Sequence, residues 1–491
     1  MLTVTVVNSG PAIVQTGDFI TCPGIPNGTY SNFSKHKIER NLILIQDLGH
    51  NFVINSDRNI IRSNGGRIFI REVIVALSAV MVLVSFQNCS SSGFKAVSGS
   101  TTVANAASSV PTSASTSTSP STSISSSSSS SSGGLLTGLH IVMGTGGQSG
   151  HLVNGSGQIV QLHGADRAGS EWTCLYSSNF NDHTDQASID AMKAWNINAV
   201  RIPLNEDCWL GINGVVFGGS EYQAALKAYV SLLTSNGMAV ILDLHWAAPG
   251  TETANGQLGM ADADHAPEFW SQVAAAYASN GAADTSANSM VIFDLFNEPF
   301  IKSWSCWLNG GACATDYNNV TYNAAGMAQL YAAVRNTGAQ NVVMMGGLGY
   351  SSDFSQWVSE VSSIQGATNI AASWHVYSNN ADYNNFQYSC PNQWNNYSGT
   401  CPSAQQTAEQ ANIPAVLAAG YPFIVGETEV SYENYPSLLT WWQNQLSWID
   451  SQDQSYLAWD WNTVAPPDLI TNFDGTPTSS GQVYKNHLAN F

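Results

Sequence analysis

The stretch Met290-Val-Ile-Phe-Asp-Leu-Phe-Asn-Glu-Pro-Phe300 runs an apolar segment straight into a carboxylate. Such a run suits a strand buried on both faces. Pro299 cannot continue a hydrogen-bonded ladder and biases Glu298 toward extended backbone, so the strand is expected to stop with Asn297 and Glu298 at its carboxyl end. A carboxyl group there can give or take a proton; the plainer reading is a polar loop after a strand. Other apolar runs end in the same way, on Asp166 and Arg167, on Arg201 followed by Asn205, Glu206 and Asp207, and on Asp243 and His245. Further on stand His375 with Tyr377, Glu427, and Trp459 with Asp460 and Trp461. Gathered at one mouth, these groups would do acid–base chemistry on a bound substrate. The 15 Trp, 18 Tyr and 17 Phe residues exceed what a core needs and suit flat ligands such as sugar rings.

Eight strand-like runs carry these residues: Gln161–Ala165, Ala199–Leu204, Ala239–Leu244, Val291–Phe296, Val342–Gly346, Ala371–Trp374, Phe423–Val425 and Tyr456–Trp459. Helix-like runs fill the gaps, among them Ser188–Trp195, Tyr222–Thr234, Pro267–Ala278 and Asn323–Val334. Eight strand–helix alternations point to an α/β protein with a parallel sheet closed as a (β/α)8 TIM barrel. An open doubly wound sheet is the runner-up, but His163-Gly-Ala-Asp166 stands where a glycine-rich phosphate loop would be. His140–Met143 and Gln158–Leu162 are expected to form a short N-terminal β-hairpin under the barrel.

The motifs Val-Arg201-Ile-Pro, Leu-Asp243-Leu-His245-Trp246, Phe-Asn297-Glu298-Pro299, Trp-His375-Val-Tyr377, Gly-Glu427-Thr and Ala-Trp459-Asp-Trp461 occur in one order and spacing. In these the chain, from about Gly164 to its C-terminus, resembles glycoside hydrolase family 5, which includes many bacterial cellulases. Cleaving a glycosidic bond calls for a proton on the leaving oxygen and support for a cation-like sugar carbon, and two carboxyl groups in different ionisation states provide both. The resemblance implies that Glu298 is the general acid/base and Glu427 the nucleophile of a retaining enzyme. It implies that Arg201 and Tyr377 keep Glu427 ionised, that Asn297 meets the sugar 2-hydroxyl, and that His245 and His375 fix hydroxyls or carboxylates. Trp459 would form the floor beside the scissile bond, with Trp461 the alternative.

Each residue also has a plainer reading. Arg201 could simply pair with a nearby carboxylate, and His245 or His375 could be structural. Glu429, two residues beyond Glu427, is the rival nucleophile. Asp166, Glu171, Glu206 and Asp207 bind sugar or only loops, and the sequence does not separate these. Trp172, Trp209, Trp246, Trp304, Trp307 and Trp394 fall in expected loops, where about half would line a cleft and the rest pack. Asp243 with His245 lacks a third metal ligand at suitable spacing, so no metal, and likewise no other cofactor, is expected.

The formal charge is −19. Eight of the 15 Lys and Arg residues and five of the 34 Asp and Glu residues precede His140, so the remainder holds seven cations against 29 anions, a formal −22. Such a surface disfavours nucleic acid. Six of the eight cysteines lie in the main domain; Cys174–Cys208, Cys306–Cys313 and Cys390–Cys401 are the expected pairs, suited to an oxidising compartment.

Upstream, residues 1–66 show no clear periodicity. In residues 67–96, the apolar run Val73–Phe86 after Arg67 and Arg71 reads as an export signal with a start nearer Arg67, or as an anchor within residues 68–86. Cys89 resembles a lipoprotein attachment site and offers a second route to a membrane tether. Residues 97–138, rich in Ser and Thr, read as a disordered, flexible linker ahead of a domain at 139–491. The expected protein is therefore exported or surface-anchored and acts on a polysaccharide, most simply as an endo-acting β-1,4-glucanase. A β-mannanase or another β-glycanase is the alternative within the family, and a non-catalytic carbohydrate-binding barrel the alternative of another class.

Overall fold

The computed structural model describes residues 136–180, 182–316, 319–378, 401–430, 436–464 and 466–491, with the backbone of five strands upstream. The chain divides into two units, Met1–Thr122 and Ser123–Phe491. In the first, strands Thr3–Asn8, Asn41–Asp47, His50–Asn55, Ile60–Ser63 and Gly66–Arg67 form one antiparallel sheet. The sequence reading assigns nothing here, although Asn64-Gly65 between the last two strands is a hairpin turn signal. The export segment, Cys89 and the linker through residue 135 lie outside the described residues. No described helix is long and apolar enough to cross a membrane.

In the second unit eight parallel strands close into a barrel. They are β1 (His163–Asp166), β2 (Ala199–Asn205), β3 (Ala239–Trp246), β4 (Val291–Asp294), β5 (Val343–Gly346), β6 (Ile370–Tyr377), β7 (Phe423–Glu429) and β8 (Ser455–Ala458). Nearly every strand residue is buried, which is why these segments read as continuous apolar runs rather than alternating ones. Helices Gln186–Lys193, Ser220–Ser235, Ala266–Ala276, Met327–Arg335 and Trp357–Ser363 follow β1 to β5 in turn. Their boundaries carry local signals: Asp185 caps the first through Ser188 N–H, and Pro267 lies in the first turn of the third.

Register sets the mouth. Asp166 of β1 lies opposite Arg201 of β2, Asp243 of β3 opposite Asp294 of β4, and His375 of β6 opposite Glu427 of β7. The last pairing depends on a bulge, because Trp374 pairs with Val425 and the next residue, His375, with Glu427, leaving Gly426 over. A Cβ on Gly426 would come within 2.8 Å of His375 Nε2 and 3.0 Å of Ser373 Oγ, so only glycine fits there.

The opposite end is apolar. Leu136, Leu139, Leu152, Val160 and Leu162 pack with Ala199, Ala239, Ile241, Ile292, Met344, Ala371, Ile424 and Leu457 of the barrel. Leu136 to Gly138, placed in the linker by the sequence reading, already belong to this packing, and Gly138 N–H donates to Ser289 Oγ.

Two expectations are corrected. The hairpin under the barrel joins His140–Val142 to His151–Val153, not to Gln158–Leu162. The Asn154 side chain accepts from the Ser156 and Gln158 N–H groups and turns the chain back immediately after Val153, so the second run leads into β1. The helix expected from Asn323 starts at Met327, because Thr321–Ala325 pairs with Gly310–Ala314 as a hairpin and Gly326 separates it from the helix.

Disulfides join Cys174 to Cys208 and Cys306 to Cys313 as expected. Cys390 and Trp394 lie outside the described residues.

Candidate active site

Arg201 projects from β2 into the barrel and is fully buried. Its Nη1 donates to Asp166 Oδ1 at 2.9 Å and Glu427 Oε1 at 2.8 Å, its Nη2 to Asn297 Oδ1 at 2.9 Å, and its Nε to Asp294 Oδ2 at 3.2 Å. Asp243 Oδ2 lies 3.1 Å from Nη2. Burial opposes the guanidinium charge, but Asp243, Asp166, Glu427 and Asp294 together lift its pKa well above the ordinary value. One guanidinium cannot by itself balance four ionised carboxylates in a dry interior. Burial pushes the Asp166 carboxyl well up and Asp294 to about 7.

Glu427 and Glu298 face one another across this cluster. The Tyr377 hydroxyl donates to Glu427 Oε2 at 2.7 Å. Burial, and then the Glu427 carboxylate, push the Tyr377 hydroxyl well above its ordinary pKa, so it stays a donor. His375 Nδ1 lies 3.0 Å from Glu298 Oε1 and 3.6 Å from Glu427 Oε2. One oxygen from each glutamate and one His375 ring nitrogen all fall within 4.8 Å of one another. That spacing would also suit a metal triad, but hydrogen bonds from Tyr377, Arg201 and Gln257 already engage these carboxylates.

Their environments differ. Glu427 accepts from a guanidinium and a phenol. Burial raises the Glu298 carboxyl, against a 2.9 Å hydrogen bond from Gln257 Nε2 and the positive field of His245 and Arg201. Burial lowers His375 to about 4, so at neutral pH it is an uncharged imidazole.

His245 forms the adjoining wall. Burial alone would lower its pKa, but Asp243, 2.6 Å from Nδ1, holds it up at about 9. Asn297 Nδ2 lies 3.4 Å from His245 Nε2, and the Trp459 ring stacks on the imidazole at 5.5 Å and 19°. Trp459 is half-buried. Trp461 is not a floor: it is fully buried, edge-on to Trp195 at 4.9 Å, with Nε1 on Ser188 Oγ. The barrel strand ends at Ala458, and three residues later Trp461 packs against the helix Gln186–Lys193 through Ser188.

Glu429 is fully enclosed, unlike Glu427, which retains a small accessible face. The four open acidic residues divide. Asp166 joins the Arg201 cluster; Glu171 accepts from Gly169 N–H at 2.7 Å; Asp207 accepts from Ala254 N–H and Asn213 Nδ2; Glu206 accepts from Ala248 N–H. The last three therefore hold loops. Of the tryptophans expected in loops, Trp209, Trp304 and Trp307 lie in short helices and are buried, and Trp172 and Trp246 are half-buried, the latter at the end of β3.

Sequence reasoning misses Asp294, Ser373 and Gln257. Asp294 carries a signal, a carboxylate inside an apolar strand, which needs a buried cation. Ser373 Oγ donates to it at 3.0 Å. Gln257 sits in a long loop with no pattern to single it out.

The family model for Cellulase (glycosyl hydrolase family 5) matches residues 153–464. Endoglucanase MaCel5A from Microbulbifer sp. (strain ALW1) is 26% identical over 153 residues, 31% of this chain and only 25% of that protein's length. The β-glucanase SdGluc5_26A from Saccharophagus degradans has the same fold in its native form, with TM-score 0.51 and 16% identity over 72% of this chain and 93% of that one. Its complex with cellotetraose aligns with TM-score 0.50, again at 16% identity over 72% and 93% of the two chains. With a mouth of facing carboxylates on a closed eight-stranded barrel and the family match spanning that barrel, the chain belongs to glycosyl hydrolase family 5, the cellulase family.

Proposed function

We propose that the chain is a retaining endo-β-1,4-glucanase in which Glu427 attacks the anomeric carbon and Glu298 serves as acid and then base. The observation that carries the reading is the proximity of the two carboxyl groups, with oxygens within 4.8 Å. Retaining enzymes hold their carboxyl groups roughly 5–5.5 Å apart, whereas inverting ones leave roughly 6.5–9.5 Å for a water. In the first step Glu427, held by hydrogen bonds from Arg201 and Tyr377, bonds to the sugar carbon while Glu298 protonates the departing oxygen. In the second, Glu298, now ionised, takes a proton from water as that water displaces Glu427, restoring both groups. Asn297, His245 and His375 orient the sugar and the carboxyls, and Trp459 stacks beneath a ring.

A β-glucan substrate is supported by the family and by the cellotetraose held by SdGluc5_26A. The disulfides Cys174–Cys208 and Cys306–Cys313 suit an exported protein. Release of reducing ends from carboxymethylcellulose, mannan and xylan tests the reading. Carboxymethylcellulose is expected to be cut fastest with a rapid fall in viscosity, and a preference for mannan would replace glucan as the substrate.

A further inference from the structure

Away from the catalytic carboxyls, Glu206, Asp262 and His265 meet behind the loops that follow β2 and β3. Glu206 opens the short helix Glu206–Leu210, directly after β2, while Asp262 and His265 precede the helix Ala266–Ala276. Glu206 and Asp262 are fully buried, and the His265 side chain keeps 22% of its surface. Glu206 Oε2, Asp262 Oδ2 and His265 Nδ1 are all buried with no hydrogen-bond partner. Buried polar groups in that state cost free energy unless something satisfies them.

Their spacing is informative. His265 Nδ1 stands 3.6 Å from Asp262 Oδ1 and 4.0 Å from Glu206 Oε1, and one donor atom from each residue falls within 4.8 Å of the others. Elsewhere in this chain histidines close on carboxylates to 2.6 Å (His245 with Asp243), 2.7 Å (His487 with Asp450) and 3.2 Å (His163 with Asp450). His265 Nδ1 is thus too far from either carboxylate for a hydrogen bond, while Glu206 and Asp262 stand close enough to share a proton, and the three groups converge within 4.8 Å. Ligands about 2.0–2.2 Å from a tetrahedral ion lie roughly 3.3–3.6 Å from each other; the 3.6 Å between His265 and Asp262 meets that spacing, and the 4.0 Å to Glu206 exceeds it by a few tenths of an ångström.

We propose that Glu206, Asp262 and His265 bind one divalent cation, with Zn2+ the best match to an imidazole and two carboxylates. Calcium and magnesium favour all-oxygen shells, which an imidazole nitrogen does not supply. The ligands are already oriented by backbone donors: Asp262 Oδ1 accepts from Asp264 and His265 N–H at 2.9 and 2.8 Å, and Glu206 Oε1 from Ala248 N–H at 3.1 Å. Water completes the shell through the exposed side of His265. The ion would clamp the β2 loop to the segment after β3. That segment also pairs with the second hairpin through Ala263 N–H to Asn323 O and Ala325 N–H to Ala261 O. Its role is structural, and hydrolysis does not pass through it.

Calorimetric titration of the full chain, stripped by a chelator, with Zn2+ alone tests this. Wild type and Glu427→Ala are expected to bind one equivalent and to melt several degrees higher with the ion. His265→Ala, checked by far-UV circular dichroism, is expected to lose roughly 10–100-fold in affinity or more; His265→Gln repeats the test without opening a cavity. No uptake by wild type would overturn the proposal, leaving a proton shared between the two carboxyls. So would uptake that survives in both His265 variants and vanishes in Glu427→Ala, since the ion would then sit between the catalytic glutamates.

Discussion

The two ends of the barrel interior are built from the same strands by opposite chemistry. Moving up by two residues, Ala199 gives way to Arg201, Ile241 to Asp243 and then His245, Ile292 to Asp294, Ala371 to Ser373 and then His375, and Leu457 to Trp459. Side chains two apart share a face, so each strand begins as core and ends as site. The lower layer gains from removing apolar surface from water. The upper layer buries one guanidinium among four carboxyls, an arrangement that stabilises poorly and is useful only if those charges act on something. Glu427 breaks the two-residue rhythm, and the Gly426 bulge is what turns it inward. The contrast separates stability from function within single strands.

That separation can be broken by substitution. Glu298→Ala is expected to lower kcat on carboxymethylcellulose by roughly 10²–10⁴-fold with little change in melting temperature. A comparable loss of stability would mean that the upper layer also holds the fold. Ile241→Ala, two residues below Asp243, should do the reverse: a loss of about 2–5 kcal/mol in denaturant unfolding, with activity per folded molecule unchanged.

Titration sharpens the contrast further. The folded protein raises the Asp294 carboxyl to about 7, above its ordinary value. Its contribution is therefore fully present at low pH and is lost as pH rises through about 7. Melting temperature is expected to decline by a few degrees between pH 5 and 8, and Asp294→Asn to flatten that slope; an unchanged slope would place the titrating group elsewhere. The smallest effect is expected at Gln257. Gln257→Ala removes a hydrogen bond that favours ionised Glu298, so the alkaline limb of the kcat/KM profile should move up by a fraction of a pH unit. A downward movement would contradict the assigned donor.

The barrel was legible because buried parallel strands read as apolar runs and each ends on a polar residue. All eight expected strands are present, most within two residues of their expected ends, with β6 and β7 reaching further into the polar residues that complete the site. The lower hairpin was mispaired because His151–Val153 is only three residues long and less apolar than the run that follows. The candidate site was legible wherever a side chain sits on a strand end: Arg201, Asn297, Glu298, His375, Tyr377, Glu427 and Trp459 converge. Trp461 belongs to the core, since alternation is lost once β8 stops at Ala458. Gln257 and the Glu206–Asp262–His265 cluster depend on loop paths, which no periodicity encodes.

The central claim is that Glu427 becomes covalently attached to the sugar. A 2-deoxy-2-fluoro cellobioside with a good leaving group slows the second step more than the release of that group, and peptide mass spectrometry then locates the adduct. The account predicts one glycosyl unit on the peptide bearing Glu427, none in Glu427→Ala and a slower yield in Glu298→Ala. Attachment to Glu429, or steady turnover of wild type with no adduct, would contradict it.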